Sequence, residues 1–249
     1  ELSRALAVWP GPVLNLPAGI ANTSRAVAWQ RLAGCDGLLM PATARASRAQ
    51  LRALLAGEIE LPALLAEGVY PLIIRPVDSH AGNGLDQLAD PQALADYLDG
   101  QAEETFFISR FIDYRSGDGL FRKYRVALVD GVPFAAHMGV SSHWMIHYLN
   151  AGMTESAEKR AEEASFMADF DTQFGHRHAA ALAAVAQRIG LDYVVLDCAE
   201  TPAGDLLVDA KVPRAERDAW PLVVCGDDVV AVPGVAEAPG WEGAVTWRR

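Results

Sequence analysis

Apolar and polar positions alternate most informatively between Tyr70 and Val140. Leu72, Ile73 and Ile74 form a branched apolar run that predicts a buried strand, closed by Arg75 and stopped by Pro76, which lacks a backbone donor and restricts its neighbour. Thr105 to Ser109 predicts a second strand, continued past Arg110 by Phe111 to Tyr114 as a connector between two lobes. Phe121 to Val129, FRKYRVALV, alternates and then turns apolar. Asp130-Gly131 is the hairpin signal that leads into Val132 to Val140. Further on, Leu191 to Leu196 predicts a strand that presents Asp197 at its end, and Leu206 to Val208 returns beside it, bringing Asp209 nearby. Pro221 to Val224 and Val229 to Val232 read as a last hairpin across Cys225 to Asp228.

Helical segments fill the intervals. Thr23 or Ser24 caps a helix running to Leu32, and Ser47 starts one through Leu55 with Gly57 beyond its end. Asp90 and Pro91 form the cap and first turn of a helix over 91–98. Thr154 to Phe170 predicts a charged amphipathic helix with Phe166 and Met167 as its buried contacts, and Arg177 to Ile189 a strong helix ending at Gly190. Gly37 to Thr43 reads as a short strand.

Three polar constellations ride on this scaffold. After Arg75 the loop Ser79, His80, Ala81, Gly82, Asn83 and Gly84 can bring several backbone N–H groups close to an anion, and a fixed guanidinium fork beside it suits a polyphosphate. An ordinary turn with a surface ion pair is the alternative, since no P-loop or dinucleotide glycine spacing is present. Lys123 and Arg125, two apart on a strand, leave on one face and can meet one ligand, or else mark a solvated edge strand. Asp197 and Asp209 at the ends of adjacent antiparallel strands can hold a hard cation against phosphates, or simply cap turns. His137, His143 and His147 invite comparison with zinc sites; HWMIH puts His143 and His147 on one helical face but lacks the glutamate such sites use.

Composition narrows the class. The 249 residues are 51% hydrophobic and 21% charged, which fits a folded, enzyme-sized chain. A formal net charge of -11 opposes broad nucleic-acid binding through long-range attraction. Three cysteines outline no disulfide framework, and no apolar run reaches roughly 18 residues, so a cytoplasmic protein without a membrane span is expected. A start at Glu1 rather than Met raises the expectation of further chain upstream.

IIRPVDSHAGNGL at 73–85, FISRFIDYRSGDGLFRKYRVALVDGVPFAAHM at 107–138, SSHWMIHYLNAGM at 141–153 and LDYVVLDCA at 191–199 together resemble the ATP-grasp superfamily. The resemblance implies an α+β, two-lobed ATP-grasp fold with a C-terminal β-hairpin extension. It implies ATP between the lobes, Mg2+ bridging phosphates, and a carboxylate activated as an acylphosphate for attack by an amine. Site residues follow from it position by position. Arg75, Lys123 and Arg125 border the transferred phosphate; Ser79, His80, Gly82 and Gly84 form the flap; Arg110, Ile112 and Asp118 lie in the segments that border the nucleotide; Asp197 and Asp209 hold the metal. Arg110 stands where the family often carries an acidic ribose ligand, and Asp209-Ala210-Lys211 replaces an acidic residue, one residue and Asn. A protonated lysine cannot coordinate magnesium, so a noncatalytic nucleotide-binding module is the alternative implied.

DAKVPRAERDAWPLVVCGDDVVAVPGV, residues 209–235, resembles the C-terminal domain of bacterial tRNA(Ile)-lysidine synthetase, which implies tRNA as a partner of the tail; the ATP-grasp resemblance implies a small carboxylate and an amine-bearing acceptor as the other partners. The expected domains are a linking region at 1–65, a small lobe at 66–112, a large lobe at 113–208 and a helix-hairpin tail at 209–249.

Overall fold

The computed structural model describes residues 14–77, 79, 82–146 and 151–209, together with the strand backbones 223–225, 228–232 and 236–237. Two sheets, each backed by its own apolar core, make the two α+β lobes that the sequence leads one to expect. The smaller sheet is antiparallel, in the order β2 (Thr43–Ser47), β5 (Thr105–Arg110), β3 (Leu72–Pro76) and β4 (Asp86–Leu88). Leu72 and Ile74 of β3 and Phe106 and Ile108 of β5 are buried on one face, with Leu51, Leu94 and Leu98 from two helices. Those helices start as their sequences dictate. Ser47 and Gln50 form a reciprocal capping box on Arg48–Leu55, and the Asp90 side chain accepts from Ala93 N at 2.9 Å on Pro91–Gly100.

The larger sheet runs β1 (Leu38–Leu39), β9 (Leu206–Asp209), β8 (Tyr193–Glu200), β6 (Phe121–Val129) and β7 (Val132–Ser141), with only β1 and β9 parallel. Tyr124, Val126 and Leu128 alternate along β6 into the core. Helix Ala179–Ile189 brings Leu182, Val185 and Ile189 to the same core at helical spacing and ends at Gly190, whose φ of 65° suits a left-handed cap. The expected tail hairpin is present as β10 (Val223–Cys225) and β11 (Asp228–Val232), extended by β12 (Ala236–Glu237).

Several local expectations need correction. β2 and β4 are strands that the pattern did not predict. Phe111 to Tyr114 does not continue β5; no strand is formed there, and these residues pack against the loop after β7 instead. The segment 37–43 yields only the two-residue β1 before β2 begins. Helix Ala157–Ala168 leaves Met167 exposed while Phe166 packs on the core, because neighbours on a helix point about 100° apart. His143 lies in a run of bends rather than a helix, and His147 falls outside the described residues. Among the described residues no helix is long and apolar enough to cross a membrane.

Candidate functional site

The two faces of β6 separate two chemistries. Even-numbered positions point toward the helices: Arg122 pairs with Asp118 and Glu162, while Tyr124 joins Glu200. Odd-numbered positions put Lys123 and Arg125 on the other face, as their spacing requires. There Arg125 Nε donates to Asp197 Oδ1 at 2.9 Å, and Lys123 Nζ stands 3.7 Å from Asp197 Oδ2. Asp197 is therefore not at the end of its strand but inside it, and it is 8% exposed.

Register extends this contact into a row across four strands. His137 of β7 pairs with Arg125 of β6, Arg125 with Asp197 of β8, and Asp197 with Asp209 of β9. A bulge places His137 in it: β7 pairs Val126 with Ala135 but Arg125 with His137, so Ala136 is the extra residue. Burial, and after it the nearby Arg125, push His137 below the ordinary imidazole range, with Asp197 acting the other way.

Lys123 is also tied to the chain after β7. Its Nζ donates to the Ile146 carbonyl at 2.6 Å. The Tyr114 hydroxyl donates to the Trp144 carbonyl, and the Phe111 and Trp144 rings meet edge to face at 5.8 Å. None of Tyr114, Trp144 and Ile146 stands out in the sequence as a site residue; the only signal is aromatic density on either side of the hairpin.

In the small lobe Arg75 is 7% exposed and folds its own loop down. Arg75 Nη2 donates to the Ser79 carbonyl at 2.5 Å and to Ser79 Oγ at 3.2 Å. Gly82 and Gly84 have φ of 80° and 64°, and a Cβ on Gly84 would stand 2.7 Å from Pro76 Cδ, so the turn presses on the end of β3. The Tyr97 hydroxyl donates to the Gly84 carbonyl at 2.6 Å. Arg75, Ser79, Gly82 and Gly84 are thus one local unit, while His80 lies outside the described residues. Arg110 is exposed at the end of β5, Ile112 is half-buried in the connector, and Asp118 belongs to the Arg122 and Glu162 group rather than to the Asp197 row. The hydrogen bonds from Arg122 hold the Asp118 carboxyl at about 2.

Two cations converging on a carboxylate, on a sheet face away from the helices, can bind an anionic group that brings its own counter-ion. The donor set limits what metal it can hold. Among the described residues no group of three or more His, Cys, Asp or Glu side chains can hold an ion, and Lys211 lies outside them. The Asp197 carboxylate is an oxygen donor of the kind a hard cation takes, and Asp209 is its backbone register partner on β9.

Comparison with known proteins divides the chain. Residues 204–247 match the family described as the TilS substrate C-terminal domain. A stretch of 31 residues, 12% of this chain, is 71% identical to tRNA(Ile)-lysidine synthase of Symbiobacterium thermophilum and spans 6% of that protein. Among solved structures, VanG D-Ala:D-Ser ligase from Enterococcus faecalis is 15% identical with a TM-score of 0.45, over 76% of this chain and 52% of that one. A RimK domain ATP-grasp protein from Sphaerobacter thermophilus is 18% identical with a TM-score of 0.44, over 83% and 64%. The ATP-grasp ligase PsnB, solved with a precursor peptide and AMPPNP, is 16% identical with a TM-score of 0.46, over 85% and 56%. The chain spans less than two thirds of each of these proteins. The two-lobed α+β fold is thus followed by a C-terminal segment that matches the TilS substrate C-terminal domain.

Proposed function

We propose that the chain binds ATP with magnesium between its lobes and uses it to activate a small carboxylate as an acylphosphate for attack by an amine. The observation that carries the reading is the convergence of Lys123 and Arg125 on Asp197, opposite Asp209. Phosphoryl transfer asks for alignment and charge neutralisation more than for covalent help from the protein. In this reading Arg125 and Lys123 neutralise the terminal phosphate oxygens, while Arg75 and the Ser79 to Gly84 turn bind phosphate from the small lobe and exclude water on closure. Asp197 and Asp209 would hold magnesium, which supplies charge neutralisation and fixes the phosphate's orientation. An ATP-turnover assay across amino acids, peptides and small carboxylates tests the chemistry. Phosphate release together with an amide product is expected; folded protein that binds ATP without forming a product with any acceptor class leaves a noncatalytic nucleotide module in its place.

A second activity in the same chain is favoured by the match over 204–247. In this reading the tail contacts tRNA through Lys211, Arg214 and Arg217, with Glu216 and Asp218 breaking up their field.

A further inference from the structure

Gly139 sits in the interior of β7, where a glycine weakens a strand unless something needs its space. Its φ lies outside the left-handed region, so conformation does not explain it. Space does. Gly139 faces Lys123 across the sheet, and the chain after β7 returns Ile146 over that pair. A Cβ on Gly139 would stand 3.0 Å from Ile146 Cγ2, and Ile146 is only 4% exposed. The Ile146 carbonyl in turn accepts from Lys123 Nζ at 2.6 Å. Trp144, two residues earlier, is held by Tyr114 and Phe111, so the loop is anchored just before Ile146.

A lysine ammonium is a point charge on a flexible stem, and its usefulness at an anion site depends on where it is held. Here a backbone carbonyl takes one of its donors and keeps the head 3.7 Å from Asp197. We propose that Gly139 is a positioning residue for Lys123, acting through Ile146: the missing side chain lets Ile146 seat, and its carbonyl orients the ammonium toward phosphate. The proposal rests on the ATP-binding reading above. Adding one methyl at 139 would press on Ile146 Cγ2, so Ile146 must give by a few tenths of an ångström, and a shift passed to its carbonyl misaligns a charge-assisted bond whose strength falls steeply with geometry.

The test is a double-mutant cycle in the full chain, read by calorimetric titration of ATP with magnesium and, separately, of adenosine. Gly139→Ala should weaken ATP about five- to tenfold and adenosine less than about twofold, since only the charged end is affected. In an Ile146→Ala background the same substitution should cost ATP less than about twofold, because the methyl it would meet is gone. That relieved background keeps the test readable if the single variant folds poorly. Equal losses for ATP and adenosine, no loss of ATP affinity, or the same loss in both backgrounds would overturn the positioning role alone. A wild-type chain that binds no ATP would overturn the proposed function and this role with it.

Discussion

Replacing Glu200 by glutamine removes the charge that locks β8 to the helices behind it. The Glu200 carboxylate accepts from Arg177 Nη2 at 2.9 Å, meets His178 Nε2 at 2.8 Å and accepts from the Tyr124 hydroxyl at 3.3 Å. Burial raises its pKa, but the hydrogen bonds from His178 and Arg177 outweigh burial and hold it at about 2 against an ordinary 4.5. That difference amounts to about 3 kcal/mol of folding stability at neutral pH as an upper bound. With the side chain 27% exposed, solvent screening reduces the expected value to about 2 kcal/mol. Because the folded pKa lies below the unfolded one, this contribution is fully present above 4.5 and is lost as pH falls toward about 2. Urea unfolding of the wild type and Glu200→Gln, compared from about pH 7 down to about pH 3, reads it directly. The variant should be less stable by about 2 kcal/mol at neutral pH, and the gap should close on acidification. A gap that stays constant with pH would refute the electrostatic account and leave lost packing as the cause.

Two further outcomes follow from the proposed site. Arg75→Ala should weaken ATP by about tenfold while sparing adenosine, because the lost guanidinium serves the phosphates; matched losses in titrations of both ligands would argue against that role. Truncation just before Asp209 should abolish any tRNA binding measured over a salt series. Binding that survives the truncation and ignores salt would defeat the assignment to the tail.

Strands with branched or aromatic runs were legible in the sequence: β3, β5, β6 and β7 fall close to where their patterns place them. β2, Thr-Ala-Arg-Ala-Ser, was not, since its small residues carry no pattern; it is held by pairing with β5 and by Arg48 at the next position, which donates to the carbonyls of Leu98, Gln101 and Glu103. Such contacts span about half a hundred residues and leave no local trace. The site was legible as a set of residues but not as an arrangement. Counting outward from the Asp130-Gly131 turn pairs Arg125 with Ala136; the bulge moves the partnership to His137. Asp197 looked terminal because Cys198, Ala199 and Glu200 carry little strand signal, yet they continue β8 along β9. The Asn15 side chain bonds both backbone groups of Tyr193, a contact between segments far apart in the chain that no local pattern marks.

The central claim is that Asp197 couples magnesium to a polyphosphate held by Arg125 and Lys123. Calorimetric titration of ATP, with and without magnesium, into the wild type and Asp197→Asn tests it most directly. The wild type should bind ATP more tightly when magnesium is present. Asp197→Asn should bind magnesium-free ATP at least as well as the wild type, because two cations are then no longer neutralised by the carboxylate, and should lose the magnesium enhancement. Folded wild-type protein that binds no ATP, or an Asp197→Asn variant that keeps the full enhancement, would contradict the account.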